Sequence, residues 1–323
     1  DYWSPINDRA GLFLRSVNWA PIINDLVVTN STGPGILLWK GGAMGQDWWT
    51  SDNGGNGADF REFHPQVTIL RSLDNAGHGV SVRDSSNVEL SHVLTSGNGI
   101  ASSQPENGAG IFFDEANDVM SGGKNVSCFT CISNGDQYGI VARDSIDLQL
   151  LAVEVHDPLS GPALDIDNSG LSRDGLVIID DMRINLNQSS YAIQLQDVNA
   201  EIHGLDLSGD NRGVYWSAGD SITSYLSTSI ISGNDGSCFD IVDHSELLVN
   251  NLGLACATGS KPTVESSFVN FTDSGFIPGT GHETTLHLES SSHVRWISSS
   301  PISDPTFTSV SYTHLTLPTT HCV

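Results

Sequence analysis

The sequence predicts an all-β solenoid of nine or ten stacked coils, with three short strands per coil. Three observations predict it. A small residue followed by alternating apolar residues recurs along the chain. Each recurrence is followed by the same order of turns and strands. No helical stretch separates the strands. Alternation at period two means strands with one buried face, and the lack of helices leaves little room for βαβ crossovers. Stacking each coil on the next buries that face.

The first strand of each unit carries the clearest signal. Its instances begin at Gly11, Gly35, Gly79, Gly110, Gly139, Ala163, Ala192, Gly213 and Cys238, at spacings of 24, 44, 31, 29, 24, 29, 21 and 25 residues. The following residue is read as inward, which predicts one buried stack of Leu12, Ile36, Val80, Ile111, Ile140, Leu164, Ile193, Val214 and Phe239. A polar turn comes next, as in Asp84-Ser-Ser-Asn87 or Asp144-Ser-Ile-Asp147. A second alternating stretch follows, such as Val88-Glu-Leu90 or Leu148-Gln-Leu150. A third precedes a Gly/Asn/Asp turn, as in Ser133-Asn-Gly-Asp136 or Ser208-Gly-Asp-Asn211.

This pattern resembles the right-handed parallel β-helix repeat of the pectate-lyase-like superfamily, over about residues 11–276. The resemblance implies a right-handed parallel β-helix. It implies no single activity, because that superfamily holds lyases, hydrolases, epimerases, phage spikes and adhesins.

One β-helix domain is expected over residues 1–309. The 44-residue spacing reads as a loop excursion at 41–65, and Ser-rich residues 277–309 read as looser coils or a linker. Residues 310–323 resemble a translated sequencing adaptor and are expected to be a non-native tail. Flanking domains are expected beyond both ends.

The formal net charge of −25 sets the chain against nucleic acid as a partner. No apolar run approaches the roughly 20 residues that span a bilayer. An extracellular or cell-surface location is expected, where Cys238 and Cys256 can pair. Cys128 and Cys131 form a CxxC, but residues i and i+3 of an extended strand face opposite sides, so both read as small packing residues. Sequons occur at Asn30, Asn125, Asn187 and Asn270, at a frequency that chance explains in a chain rich in Ser and Thr.

Stacking also makes neighbours of the two outward positions of the first strand. One column reads Phe13, Leu37, Ser81, Phe112, Val141, Asp165, Gln194, Tyr215, Asp240. The other reads Arg15, Trp39, Arg83, Asp114, Arg143, Asp167, Gln196, Ser217, Val242. Arg83, Asp114, Arg143 and Asp167 alternate in sign. They read as an ion-pair ladder holding coil register. The alternative is a groove for an anionic polysaccharide, with Arg143 or Arg83 binding a carboxylate or abstracting a proton and Asp114 and Asp167 as acids or calcium ligands. Asp165 and Asp167 are also candidate calcium ligands, although Leu176 stands where an EF-hand loop needs its Glu. Trp39, Phe112 and Tyr215 are odd for a solvated face and either stack sugars or lie beneath loops or a partner domain. The adjacent Trp48 and Trp49 either stack on sugars or pin the expected loop.

Gly77-His78-Gly79 is similar to the Gly-His-Gly of polygalacturonases. Their preceding Asn-Thr-Asp and Asp-Asp are missing here, as is the following Arg-x-Lys, so His78 reads as a turn residue. The expected function is a scaffold or adhesion module of a larger exported or cell-surface protein, binding glycans. The alternative is a polysaccharide lyase or glycoside hydrolase acting on an acidic polysaccharide.

Overall fold

A computed structural model describes residues 9–17, 21–85, 87–101, 107–115, 126–145, 147–167, 176–186, 191–209, 211–217, 223–233, 238–244, 246–257, 259–277, 285–290, 292–297, 306–309 and 314–316. The regular structure is parallel β-strand, wound as a solenoid. The chain divides into two units, Asp1–Leu171 and Ser172–Val323.

In the first unit, strands pair in register from coil to coil. Leu12, Ile36, Ala58, Val80, Ile111, Ile140 and Leu164 form one continuous file. From Ile36 onward the file is fully buried. Each large aliphatic member contributes about 1.5–3 kcal/mol by leaving water. The file matches the predicted stack with one addition. Ala58 lies inside the segment 41–65, which was expected as a loop excursion. That segment instead belongs mostly to strands Ile36–Ser51 and Ala58–Leu73, paired along their length. The 44-residue spacing is two coils. The repeat Gly57-Ala-Asp-Phe-Arg61 escapes notice because Ala58 is small and Asp59 interrupts the apolar run.

In the first unit, the second and third short strands of a coil are one continuous strand bent by a single residue in the left-handed region. Asp25, Asp47, Ile69, His92, Thr130 and Ala152 hold this corner in the first unit, at φ between 52° and 64°. Such a residue resets the alternation, so the residue two before it and the residue just after it both face inward. Leu90 and Val93 do so, as do Leu150 and Val153. In the coil between them, Cys128 and Cys131 take the same two places and form a disulfide. This corrects the reading of both as unpaired packing residues. The i, i+3 argument holds for an unbroken strand, and Thr130 breaks this one.

A third corner carries Asn30, Asp52, Asp74, Gly97, Gly135 and Asp157 in the left-handed region, the residue types that tolerate it best. Just after it runs a buried file of side-chain amides, Asn53, Asn75 and Asn98, ending on Asp136. Asn53 Nδ2 donates to Asn75 Oδ1 at 2.8 Å, and Asn75 Nδ2 donates to Asn98 Oδ1 at 2.9 Å. Each acceptor oxygen also receives the backbone N–H of the ladder residue one coil earlier. Asp136 Oδ2 accepts from Thr95 Oγ1 and Ser133 Oγ, both at 2.7 Å. Burial pushes the Asp136 carboxyl above its ordinary range, against the hydrogen bonds from Thr95, Ser133 and both the backbone and the side-chain amide of Asn98.

This file explains the glycine that opens three of the repeats. A Cβ on Gly35 would meet Asn53 Nδ2 at 2.6 Å, and one on Gly79 would meet Asn98 Nδ2 at 2.8 Å. A Cβ on Gly110 would run into the Asp136 carboxylate.

The second unit repeats the plan. Ile193, Val214 and Phe239 stack in register, and Trp216, Ile241, Val264 and Leu288 fill the next inward position. Asp181, Gly204, Thr228, Asn251 and Asp273 hold the bend. Cys238 and Cys256 form a second disulfide, the pairing expected of an exported chain. The stretch 277–309 was expected to be looser. Its strands Thr285–Glu289, His293–Ile297 and Thr306–Ser309 keep the parallel pairing, with Trp296 stacked 4.4 Å from Phe271. Of the expected non-native tail, strand His314–Thr316 pairs with His293–Ile297. Residues 310–313 and 317–323 lie outside the described residues, as do Asn125 and Asn187.

Candidate functional site

The outer face of the first sheet was the expected site. Its first column is not an exposed surface in the first unit. Leu37, Ser81, Phe112 and Val141 are buried, and so is Asp59. Phe112 packs with Ala109, Tyr138 and Val141 in one apolar cluster. The His78 ring stacks on Phe112 at 4.4 Å, only 5° from parallel, and the Arg83 guanidinium lies 5.2 Å from the Phe112 ring centre. Phe112 therefore offers no free face of the kind a sugar stacks on. His78 is buried and accepts the Ala109 N–H at Nδ1, 3.0 Å away. It lies in the turn ahead of strand Val80–Arg83, as expected, and there it also clamps two coils together.

The second column keeps the predicted backbone register. Arg83, Asp114, Arg143 and Asp167 are successive Cα partners. The side chains shown follow a different pattern. Arg143 Nη2 meets Asp165 Oδ2 at 2.6 Å, in the first column of the next coil. Arg61 grips Asp59 at 2.6 Å, and Arg83 donates to Ser81 at 3.0 Å. Guanidiniums turn toward the first column because its carboxylates are buried. Asp59 is 0% and Asp165 7% exposed, and a buried charge needs a counter-charge. Asp114 lies among Arg83, Arg143, Asp84 and Asp144. Burial is the main cause that raises its carboxyl, and Arg83 is the main opposing charge. Beside it, a hydrogen bond with Asp84 raises the Glu115 carboxyl.

The calcium expectation meets this geometry directly. Asp165 Oδ2 is held by Arg143, so a cation there would have to displace a guanidinium. Among the described residues, no three His, Cys, Asp or Glu side chains lie close enough together to hold a metal.

The aromatic candidates separate. Trp48 is an interior residue whose indole donates to the Ile23 carbonyl at 2.8 Å. Trp49, its neighbour, is 37% exposed, close to the Arg71–Asp47 ion pair. Trp39 is half-buried, bonded to Glu62 at 3.0 Å, with Arg15 over its ring at 4.8 Å. In the second unit, Tyr215 lies 5.6 Å from Tyr191, whose hydroxyl donates to Asp240 at 2.8 Å. Arg212 sits over the Tyr191 ring. Burial, reinforced by Asp240, pushes the Tyr191 hydroxyl above its ordinary range. Of this group only Tyr215 was singled out as a candidate. Tyr191 was missed because it stands ahead of the strand whose outward residues were aligned, and nothing in its spacing marks it.

No family model matches the chain, and no curated protein matches it.

Proposed function

We propose that this chain is a scaffold or adhesion module of an exported or cell-surface protein, and that it binds glycans along its coils. The observation that carries this reading is how the polar side chains of the first-sheet face are used. Arg61, Arg83 and Arg143 are tied to first-column groups, and His78 is stacked and hydrogen-bonded. They act as braces spread over successive coils, where an enzyme needs groups converging on one reacting atom. Two disulfides favour an oxidising compartment. Flanking domains of the same chain would supply any anchoring.

The test is a glycan-array screen run beside an assay for unsaturated products from uronate polymers. Glycan binding without product supports the proposal, and product formation overturns it. A second reading, a polysaccharide lyase or glycoside hydrolase, draws on Asp114, a raised carboxyl between two arginines. Under that reading, Asp114→Asn abolishes turnover of a uronate polymer.

A further inference from the structure

In the first unit, the outward face of strands Ile22–Thr29, Ile36–Ser51, Ala58–Leu73, Glu89–Ser96 and Val126–Asn134, just ahead of their bends, carries a groove of about 620 Å³. We infer that this groove binds a linear, uncharged oligosaccharide running across the strands, from coil to coil. The inference deepens the glycan-binding reading above and rests on it.

Two outward files bound the groove. One passes through Met44, Gln66 and Glu89, which are register partners in successive coils. The other passes through Gln46, Thr68 and Ser91 and ends on Phe129. The hollow follows from side-chain length, since Thr68 and Ser91 are short where their neighbours in the first file are long. Coils repeat at ~4.8 Å, so five of them make a trough roughly 19 Å long, longer than a single sugar ring.

The lining selects the ligand. Among the described residues, the side-chain amides of Gln46 and Gln66 have no hydrogen-bond partner within the protein, and that of Asn24 has none either. An amide both donates and accepts, which matches a hydroxyl group. Met44 is 44% and Phe129 47% exposed, and they offer apolar surface to the C–H faces of a sugar. Among the described residues, no Lys, Arg or His lines the groove, and the only charge there is the carboxylate of Glu89. With a chain charge of −25, a polyanion is repelled. An added peptide strand is excluded as well, because the backbone here is already paired within the sheet.

The test is titration calorimetry with cellohexaose, mannohexaose, maltohexaose and hexagalacturonate. It is run on the whole chain and on two variants, Gln46→Ala/Gln66→Ala and Phe129→Ala. All three side chains are exposed, so unchanged melting curves certify the folds. At least one neutral hexasaccharide should bind, more tightly than hexagalacturonate, and each variant should weaken it tenfold or more. Unchanged affinity in both variants overturns the groove and leaves the glycan reading standing. Preference for hexagalacturonate overturns it too. If the array registers glycans but none of the neutral hexasaccharides binds, the groove alone fails. If nothing binds in either experiment, both readings fail.

Discussion

Asn98 donates from Nδ2 to Oδ1 of Asp136 at 2.8 Å, and this bond closes a file of buried amides that begins at Asn53. An acceptor-only carboxylate fits the end of such a file. The residue at the same place in the next coil is Pro158, which offers neither a side-chain acceptor nor an N–H. Asn75, in the middle, uses both amide hydrogens and both oxygen lone pairs. Asn75→Ala strands donors on Asn53 and an acceptor on Asn98. It should cost ~2–4 kcal/mol in urea unfolding, since each orphaned buried group costs about 1–3 kcal/mol. A loss no larger than that of an exposed Asn→Ala control would show that the file adds nothing to stability.

His244 is buried with its ring edge against Trp216, and Nε2 lies 3.3 Å from the Trp216 carbonyl. Nδ1 has no partner. Burial lowers its pKa from 6.5 to about 4. A histidine lowered in the folded state is held neutral there, while the unfolded chain takes up the proton. Stability is therefore intact above pH 6.5 and falls as the pH drops toward about 4. The loss attributable to His244 approaches ~3 kcal/mol. Melting curves across that window should show it, and His244→Phe should flatten it. An equal acid loss in the variant would move the cause elsewhere.

The Arg143–Asp165 pair is largely sheltered, with side chains 18% and 10% exposed. In the exposed ladder expected from the sequence, Arg143→Ala would cost about 1 kcal/mol. The structure raises that expectation to ~2–4 kcal/mol, because the deletion leaves Asp165 buried and uncompensated. Arg143→Ala/Asp165→Leu should recover much of the loss, and high salt should change it little. Full suppression of the loss by salt would restore the exposed-ladder reading.

The two disulfides should differ in weight. Cys238–Cys256 closes a loop across 18 residues and Cys128–Cys131 one across 3. Chain-entropy arguments assign about 3 and about 2 kcal/mol to them. Leu and Val occupy the equivalent places of Cys128 and Cys131 in both neighbouring coils. Cys128→Leu/Cys131→Val should therefore fold with little loss, whereas Cys238→Ser/Cys256→Ser should melt well below the parent. Thiol counting under non-reducing, denaturing conditions checks that both bonds form.

The all-β solenoid, its inward file and its coil-to-coil register were legible in the sequence. Alternation at period two and a small residue at each coil start report directly on which side of a strand is buried. Ala58 and Asp59 hid one coil because they satisfy the geometry without the expected apolar pattern. The amide file was legible in principle, since Asn53, Asn75 and Asn98 recur every 22 or 23 residues behind an Asp or Gly. Side-chain destinations were decided only by the tertiary structure. Arg143 can reach a carboxylate in either column, and burial of the first column selects Asp165. Cys128 and Cys131 meet because Thr130 turns the chain. Trp48 and Trp49 are identical neighbours in sequence, and the alternation of the strand sends one to the core and the other to the surface. Periodicity specifies a strand's two faces, but what covers the outer face depends on coils and corners remote in the chain.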